Sequence, residues 1–326
     1  MWSIKSKTRT NILSLTILSL LLIGIFSTSI VASTTYQHTL RKGTDEFVVE
    51  LYDSAEWKNT VDSSLTPSDW FEGEANVTNA KSKATLKAWF PATWDTWDVF
   101  TSIFMPDYFN SSEIFTLLFK MNSQGYNKTT INANYTTNYT LSYGLLAVWN
   151  YTTKDYEENP SKTDLIILFP DPLKYKVMLD DYHALAEDLN GNFFISPSGD
   201  TFPNVSADEF LWKLIFRGLA TAGPHGNYLE SLVSELGCEN TTVSGSTLII
   251  ERYGITNYTV EISYGERGMM SSFTVKDISG TIIYQITSSN SEWQFYLILI
   301  IVSAVSVALV VFVVVTRRRR RRRLKK

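Results

Sequence analysis

Between Phe295 and Val315 the chain runs for 21 residues without a charge, FYLILIIVSAVSVALVVFVVV, and then meets seven consecutive arginines. At about 1.5 Å per helical residue this run matches a hydrocarbon layer of roughly 30 Å. A helix buried in a globular core seldom continues so long without a polar face, so the run predicts a membrane-spanning helix over 295–316. Arg317, Arg318, Arg319, Arg320, Arg321, Arg322 and Arg323, with Lys325 and Lys326, make 317–326 a basic tail that does not cross a bilayer cheaply. Cytoplasmic flanks are enriched in such cations, which places the tail inside and everything before Phe295 outside. The arginines also suit the anionic headgroups of the inner leaflet, at about 1 kcal/mol per residue near the surface. The bilayer is therefore the one partner the sequence specifies, and any extracellular ligand or protein stays unassigned.

The other end repeats the logic on a smaller scale. Lys5, Lys7 and Arg9 precede an apolar stretch from Ile12 to Phe26 and small residues from Ser27 to Ser33. Residues 1–32 read as a signal peptide, cut after Ser29 or Ala32, or as an uncleaved N-terminal anchor. Either version leaves 33–294 as one extracellular domain. No carboxylate occurs before Asp45 or after Glu292, so this middle carries 17 basic against 33 acidic residues, a net charge of −16. A nucleic-acid binder concentrates basic charge on its folded part, and that class is excluded.

Asn-X-Ser/Thr acceptors stand at Asn76, Asn110, Asn127, Asn134, Asn138, Asn150, Asn204, Asn240 and Asn257, half of the 18 asparagines in this middle. Their density predicts a glycosylated surface. Cys238 is the single cysteine, so no intrachain disulfide forms. Many acceptors, no disulfide and a stop-transfer helix ending in arginines resemble archaeal cell-surface glycoproteins. That resemblance implies a single-pass protein displayed outside the cell; it extends to the two ends and the acceptor pattern only.

Alternation with a period of two marks strands. Phe47, Val49 and Leu51 alternate, as do Ala84, Leu86, Ala88 and Phe90; Tyr135, Tyr139, Leu141 and Tyr143 do so within Asn134 to Tyr143. Leu165 to Phe169 is a short buried strand or a helical fragment. From Thr247 to Ile286, four extended runs separated by Gly254 and by turns at 265–268 and 277–280 predict an antiparallel meander with Phe273, Val275, Ile282, Tyr284 and Ile286 inward. Helices are expected after a Ser206–Glu209 capping box, from Asn227 to a stop at Gly237, and over Asp180 to Leu189. Ala92 to Met121 predicts two helices broken at Pro106. The fold class is α+β: a β-rich ectodomain with a curved antiparallel sheet of about eight strands and a few packed helices, plus the C-terminal membrane helix.

Chemistry is sparse. His38, His183 and His225 are far apart, and no nucleophile elbow, P-loop, dinucleotide fingerprint or paired-histidine motif occurs, so no catalytic residue, metal or cofactor is indicated. Asp188, Asn190 and Asn192 imitate the start of a calcium loop, but Phe193 and Gly199 occupy the positions of its glycine and its bidentate glutamate. Asp180, Asp181, Glu187 and Asp188 read as a solvated face with the two aspartates near a helix start. Trp94, Trp97, Phe100 and Phe115 lie in an aromatic-rich stretch that is either packed core or an apolar ligand groove. Three functions fit: a surface domain for binding, adhesion or envelope organisation; a carrier or sensor of apolar ligands built on a curved sheet; or an anchored hydrolase.

Overall fold

The computed structural model describes residues 36–289, and the N-terminal 1–32 and C-terminal 295–326 expectations lie outside them. Among the described residues no helix is long and apolar enough to cross a membrane. Nine strands form one antiparallel sheet curled into a half-barrel, in the order β5-β4-β3-β2-β11-β10-β9-β8-β7. The strands are β2 (Gly43–Tyr52), β3 (Lys81–Asp95), β4 (Asn138–Thr152), β5 (Lys162–Leu168), β7 (Thr241–Ser244), β8 (Thr247–Tyr253), β9 (Asn257–Tyr264), β10 (Met270–Asp277) and β11 (Ile282–Ser289). Two meanders, β2 to β5 and β7 to β11, are joined by pairing β2 with β11. A two-stranded ribbon couples β1 (Gln37–His38) to β6 (Ala222–Gly223).

Helices fill the connections. Between β2 and β3 lie α1 (Ser54–Thr60) and α2 (Pro67–Phe71); between β3 and β4 lie α3 (96–108), α4 (Ser111–Ser123) and α5 (Lys128–Asn134). The long α6 (Leu173–Asn190) and α7 (Ala207–Phe216) follow β5, and α8 (His225–Leu236) leads into β7. One core unites them, with Trp57, Tyr175, Tyr228 and Tyr284 fully buried. Their polar tips donate to carbonyls, Tyr284 Oη to Ala75 O at 2.8 Å, Tyr228 Oη to Phe169 O at 2.8 Å and Trp57 Nε1 to Leu65 O at 2.9 Å.

The meander forms as the alternation predicts, but three register shifts turn expected inward residues to solvent. An extra residue at Lys87 flips β3, so Leu86 is buried and Phe90 is exposed. Val49 pairs with Ile286 while Leu51 pairs with Gln285, and the odd residue, Glu50, sends Leu51 outward. Across the β10–β11 shift, Ile283 is buried and Ile282 exposed.

Helix boundaries move for local reasons. The strand character of β3 persists through Asp95, so Trp94 stands on a strand, while Asn134 ends α5 instead of opening a strand. Pro106 does not break a helix: a π-turn over Phe100–Phe104 precedes it, Pro106 sits in the first turn of Met105–Tyr108, and the break falls at Phe109. Because α6 begins at Leu173, Asp180 and Asp181 are mid-helix and not at a positive helix start. Asn227 lies inside α8, which starts at His225 and ends at Gly237 in the left-handed conformation.

Candidate ligand cavity between the sheet and two short helices

Two glycines set the walls of the site. Helix α2 starts at Pro67, where the Asp69 carboxylate accepts from the Thr66 amide at 2.7 Å, and it carries Trp70 and Phe71 over the sheet. Glu72 follows at φ 43° and Gly73 at φ 75°. A Cβ on Gly73 would come within 2.5 Å of the Tyr151 carbonyl, so only glycine lets this chain run against β4, where Glu74 N donates to Tyr151 O at 2.9 Å. Opposite, α7 ends in Arg217 and Gly218 (φ 82°), whose Cβ would lie 2.8 Å from Ile166 Cγ2. That close approach joins α7 to the edge of β5, with Ala220 N donating to Ile167 O at 3.2 Å.

Between these junctions is a cavity of about 170 Å³. It is lined by Phe47, Ala84, Val148 and Phe273 from the sheet, by Trp70, Phe71 and Phe216 from the two helices, and by Met269 and Met270, with Asp45, Ser82 and Asn150 among its polar residues. The rings pack edge to face, Phe71 on Phe273 at 4.8 Å and Trp212 on Phe216 at 4.9 Å, and Arg252 lies 4.0 Å over the Trp212 ring.

The rim is charged. Lys162 bridges Glu72 at 3.0 Å and Asp164 at 3.2 Å. Burial works against its charge, but the two carboxylates outweigh burial and hold the ammonium above its ordinary range. Beyond the rim a wider cleft of about 660 Å³ is lined by Asp69, Trp94, Asp107, Trp212, Lys213 and Arg217, among others. Arg217 Nε pairs with Asp107 at 2.6 Å, and Nη1 donates to Ser102 O at 3.1 Å. Burial pushes the Asp107 carboxyl up, against the opposing pull of Arg217.

Of the four aromatics singled out in the sequence, only Trp94 lines this region. Trp97 is half-buried on α3, Phe100 is packed in the core at 5.7 Å from Phe202, and Phe115 is 74% exposed on the outer face of α4. The residues that form the cavity come from seven separate segments, and neither a short helix nor a flipped strand leaves a periodic trace of their convergence. Trp70-Phe71 beside Pro67 was the one readable local signal.

The acidic and polar motifs have structural partners. Tyr139 Oη donates to Asp181 at 2.5 Å, so this carboxylate is a tertiary anchor and not part of a solvated face. Asp180 pairs with Lys176, and Tyr126 Oη donates to Asp188 at 3.3 Å. Asn190 exchanges two hydrogen bonds with the Phe202 backbone, at 2.8 and 2.9 Å. Among the described residues no three histidine, cysteine or acidic side chains gather as metal ligands. His183 Nε2 lies 2.8 Å from Val205 O and His225 Nδ1 2.9 Å from Thr221 Oγ1, so neither ring is paired with a carboxylate there.

The glycan acceptors Asn110, Asn134, Asn138, Asn204, Asn240 and Asn257 are exposed; Asn76, Asn127 and Asn150 are half-buried. Asn110 and Asn127 cap α4 and α5 through Oδ1, which leaves each Nδ2 outside the cap. Arg317 to Arg323 lie outside the described residues. Comparison with family models, with curated proteins and with solved structures finds no match to this chain.

Proposed function

We propose that this chain is a single-pass surface protein whose ectodomain binds a small apolar molecule in the cavity beneath α2 and α7. The observation that carries the reading is the cavity itself, about 170 Å³ lined by Phe47, Trp70, Phe71, Phe216, Met270 and Phe273 beneath a charged rim. That volume suits a benzene-sized guest, which an apolar void of roughly 150 Å³ takes up. Apolar pockets rimmed by a few polar groups are the usual form of a small-molecule site. The two methionines suit such a role, because an unbranched thioether repacks around different guests. Glu72 adds a second mark: a non-glycine residue at φ 43° on the cavity rim is a strained conformation of the kind that clusters at ligand sites. Display outside the cell rests on the uncharged 295–315 run with its arginine tail and on the glycan acceptors.

The test uses the full chain in lipid nanodiscs with toluene as the probe, followed by saturation-transfer NMR and tryptophan fluorescence. Wild type is expected to bind toluene saturably with a change in tryptophan emission. Ala84→Phe, which fills the cavity, is expected to abolish both signals while leaving the circular dichroism spectrum unchanged. Equal binding by wild type and a folded Ala84→Phe, or no binding by wild type, would overturn the reading.

A further inference from the structure

Resting on the apolar-cavity reading, we propose that the ligand is a glycoside-like amphiphile, its ring-sized apolar group in the cavity and an uncharged, hydroxyl-rich head in the adjoining cleft. The two spaces adjoin, because Trp70, Lys162, Asp164, Leu165, Phe216 and Arg217 line both. Their sizes differ about fourfold, 170 against 660 Å³, so a molecule that fills both is small at its apolar end and bulky at its polar end.

The chemistry of the cleft selects the head. Its charged side chains are three carboxylates, Asp69, Asp107 and Asp164, and three cations, Lys162, Lys213 and Arg217. Asp107 and Asp164 already have cationic partners at 2.6 and 3.2 Å. A head of either net charge would meet like charge from half of this set, and most of the opposite charges are already engaged. Hydroxyl groups both donate and accept, so an alternation of carboxylates and cations satisfies them without altering the charge balance. Lys213 is the most available donor, with its nearest carboxylate, Glu209, at 3.9 Å. The cleft also holds three indoles, Trp70, Trp94 and Trp212. Trp212 is buried with Arg252 over its ring and Trp70 packs against Trp57 and Phe273, so the half-buried Trp94 is the indole left to meet the apolar C–H face of a pyranose ring, whose edge carries hydroxyls.

The experiment compares benzyl β-glucoside, benzyl sulfate, benzyltrimethylammonium and toluene on the full chain in nanodiscs by calorimetry and saturation-transfer NMR. The glucoside is expected to bind about tenfold more tightly than either charged compound. Lys213→Met and Trp94→Leu are each expected to weaken the glucoside at least fivefold and to leave toluene binding unchanged, which shows that the cavity and fold are intact. Equal affinity for the three heads, preference for a charged one, or indifference of the glucoside to both variants would overturn the amphiphile while toluene binding left the cavity reading standing. Absence of toluene binding by wild type would instead remove the cavity reading on which the amphiphile rests.

Discussion

At the scale of single residues, environment decides chemistry that identity leaves open. Cys238 follows Gly237 at the end of α8 and is half-buried. Burial first, and the nearby Asp208 carboxylate second, push its thiol up to about 12. The thiolate is the reactive form, and at pH 8 such a thiol is about 0.01% ionised, against roughly a quarter for a free cysteine near 8.5. Iodoacetamide at pH 8 is therefore expected to alkylate Cys238 at least a hundredfold more slowly than glutathione, and at a comparable rate once the protein is unfolded in urea; rapid labelling of the native chain would contradict the burial. Sequence alone showed that this thiol has no disulfide partner within the chain. The rise of its pKa is set first by burial and then by Asp208, thirty positions earlier, whose carboxylate comes close because it accepts from the Glu239 and Asn240 amides and from Thr241 Oγ1.

At the scale of elements, boundaries follow local chemistry and depth of burial follows packing. Ser206 Oγ accepts from the Glu209 amide at 3.2 Å, as the capping pattern predicts, but Glu209 turns toward Lys213 and Arg252 instead of completing the box. Phe210, Leu211, Trp212, Leu214 and Ile215 are buried as their density implies, while Phe216 stays partly exposed at the cavity. Ser206→Ala removes one cap, which costs about 1 kcal/mol. Urea unfolding should show that loss, and Ser206→Asp should restore most of it. Both variants belong in an Asn204→Gln background, because Ser206 is also part of the Asn204 acceptor motif. An unchanged midpoint for Ser206→Ala would mean that tertiary contacts alone hold the start of α7. The strands carry the complementary lesson: alternation identified them, and one-residue register shifts at Lys87, Glu50 and Ile283 reversed faces that the pattern had assigned.

At the scale of the whole molecule, the domain has no disulfide within it and is held by its core and by carboxylates tied to backbone donors. Asp62 is held below the ordinary carboxylate range by the Leu65 and Ser64 amides, Glu74 by the Thr153 hydroxyl and amide, and Asp277 by the Ser279 hydroxyl and the turn that follows it. Each is lowered in the folded state relative to the unfolded chain, so its contribution is present above the unfolded value near 4 and is lost as pH falls through the lower folded value. Urea midpoints are expected to be level between pH 7 and 5 and to drop below about pH 4. The drop should be smaller in a chain carrying Asp62→Asn and Asp277→Asn, whose neutral-pH stability is already reduced. A midpoint that rises on acidification would reverse the sign of this linkage.

What the sequence determined by itself is whatever depends on near neighbours along the chain: the α+β class, the β8–β11 meander, the start of α7 and the stop of α8, the absence of an intrachain disulfide, and the expectation of a membrane helix from 21 uncharged residues. Periodicity, capping and charge runs act within a few residues, and composition records them. What only the tertiary structure decided is the joining of the two meanders through β2 and β11, the direction of faces after each register shift, and the cavity. Those depend on contacts between residues far apart in sequence, such as Gly73 against Tyr151 and Gly218 against Ile166, where close approach of two backbones matters and no local pattern encodes the partner.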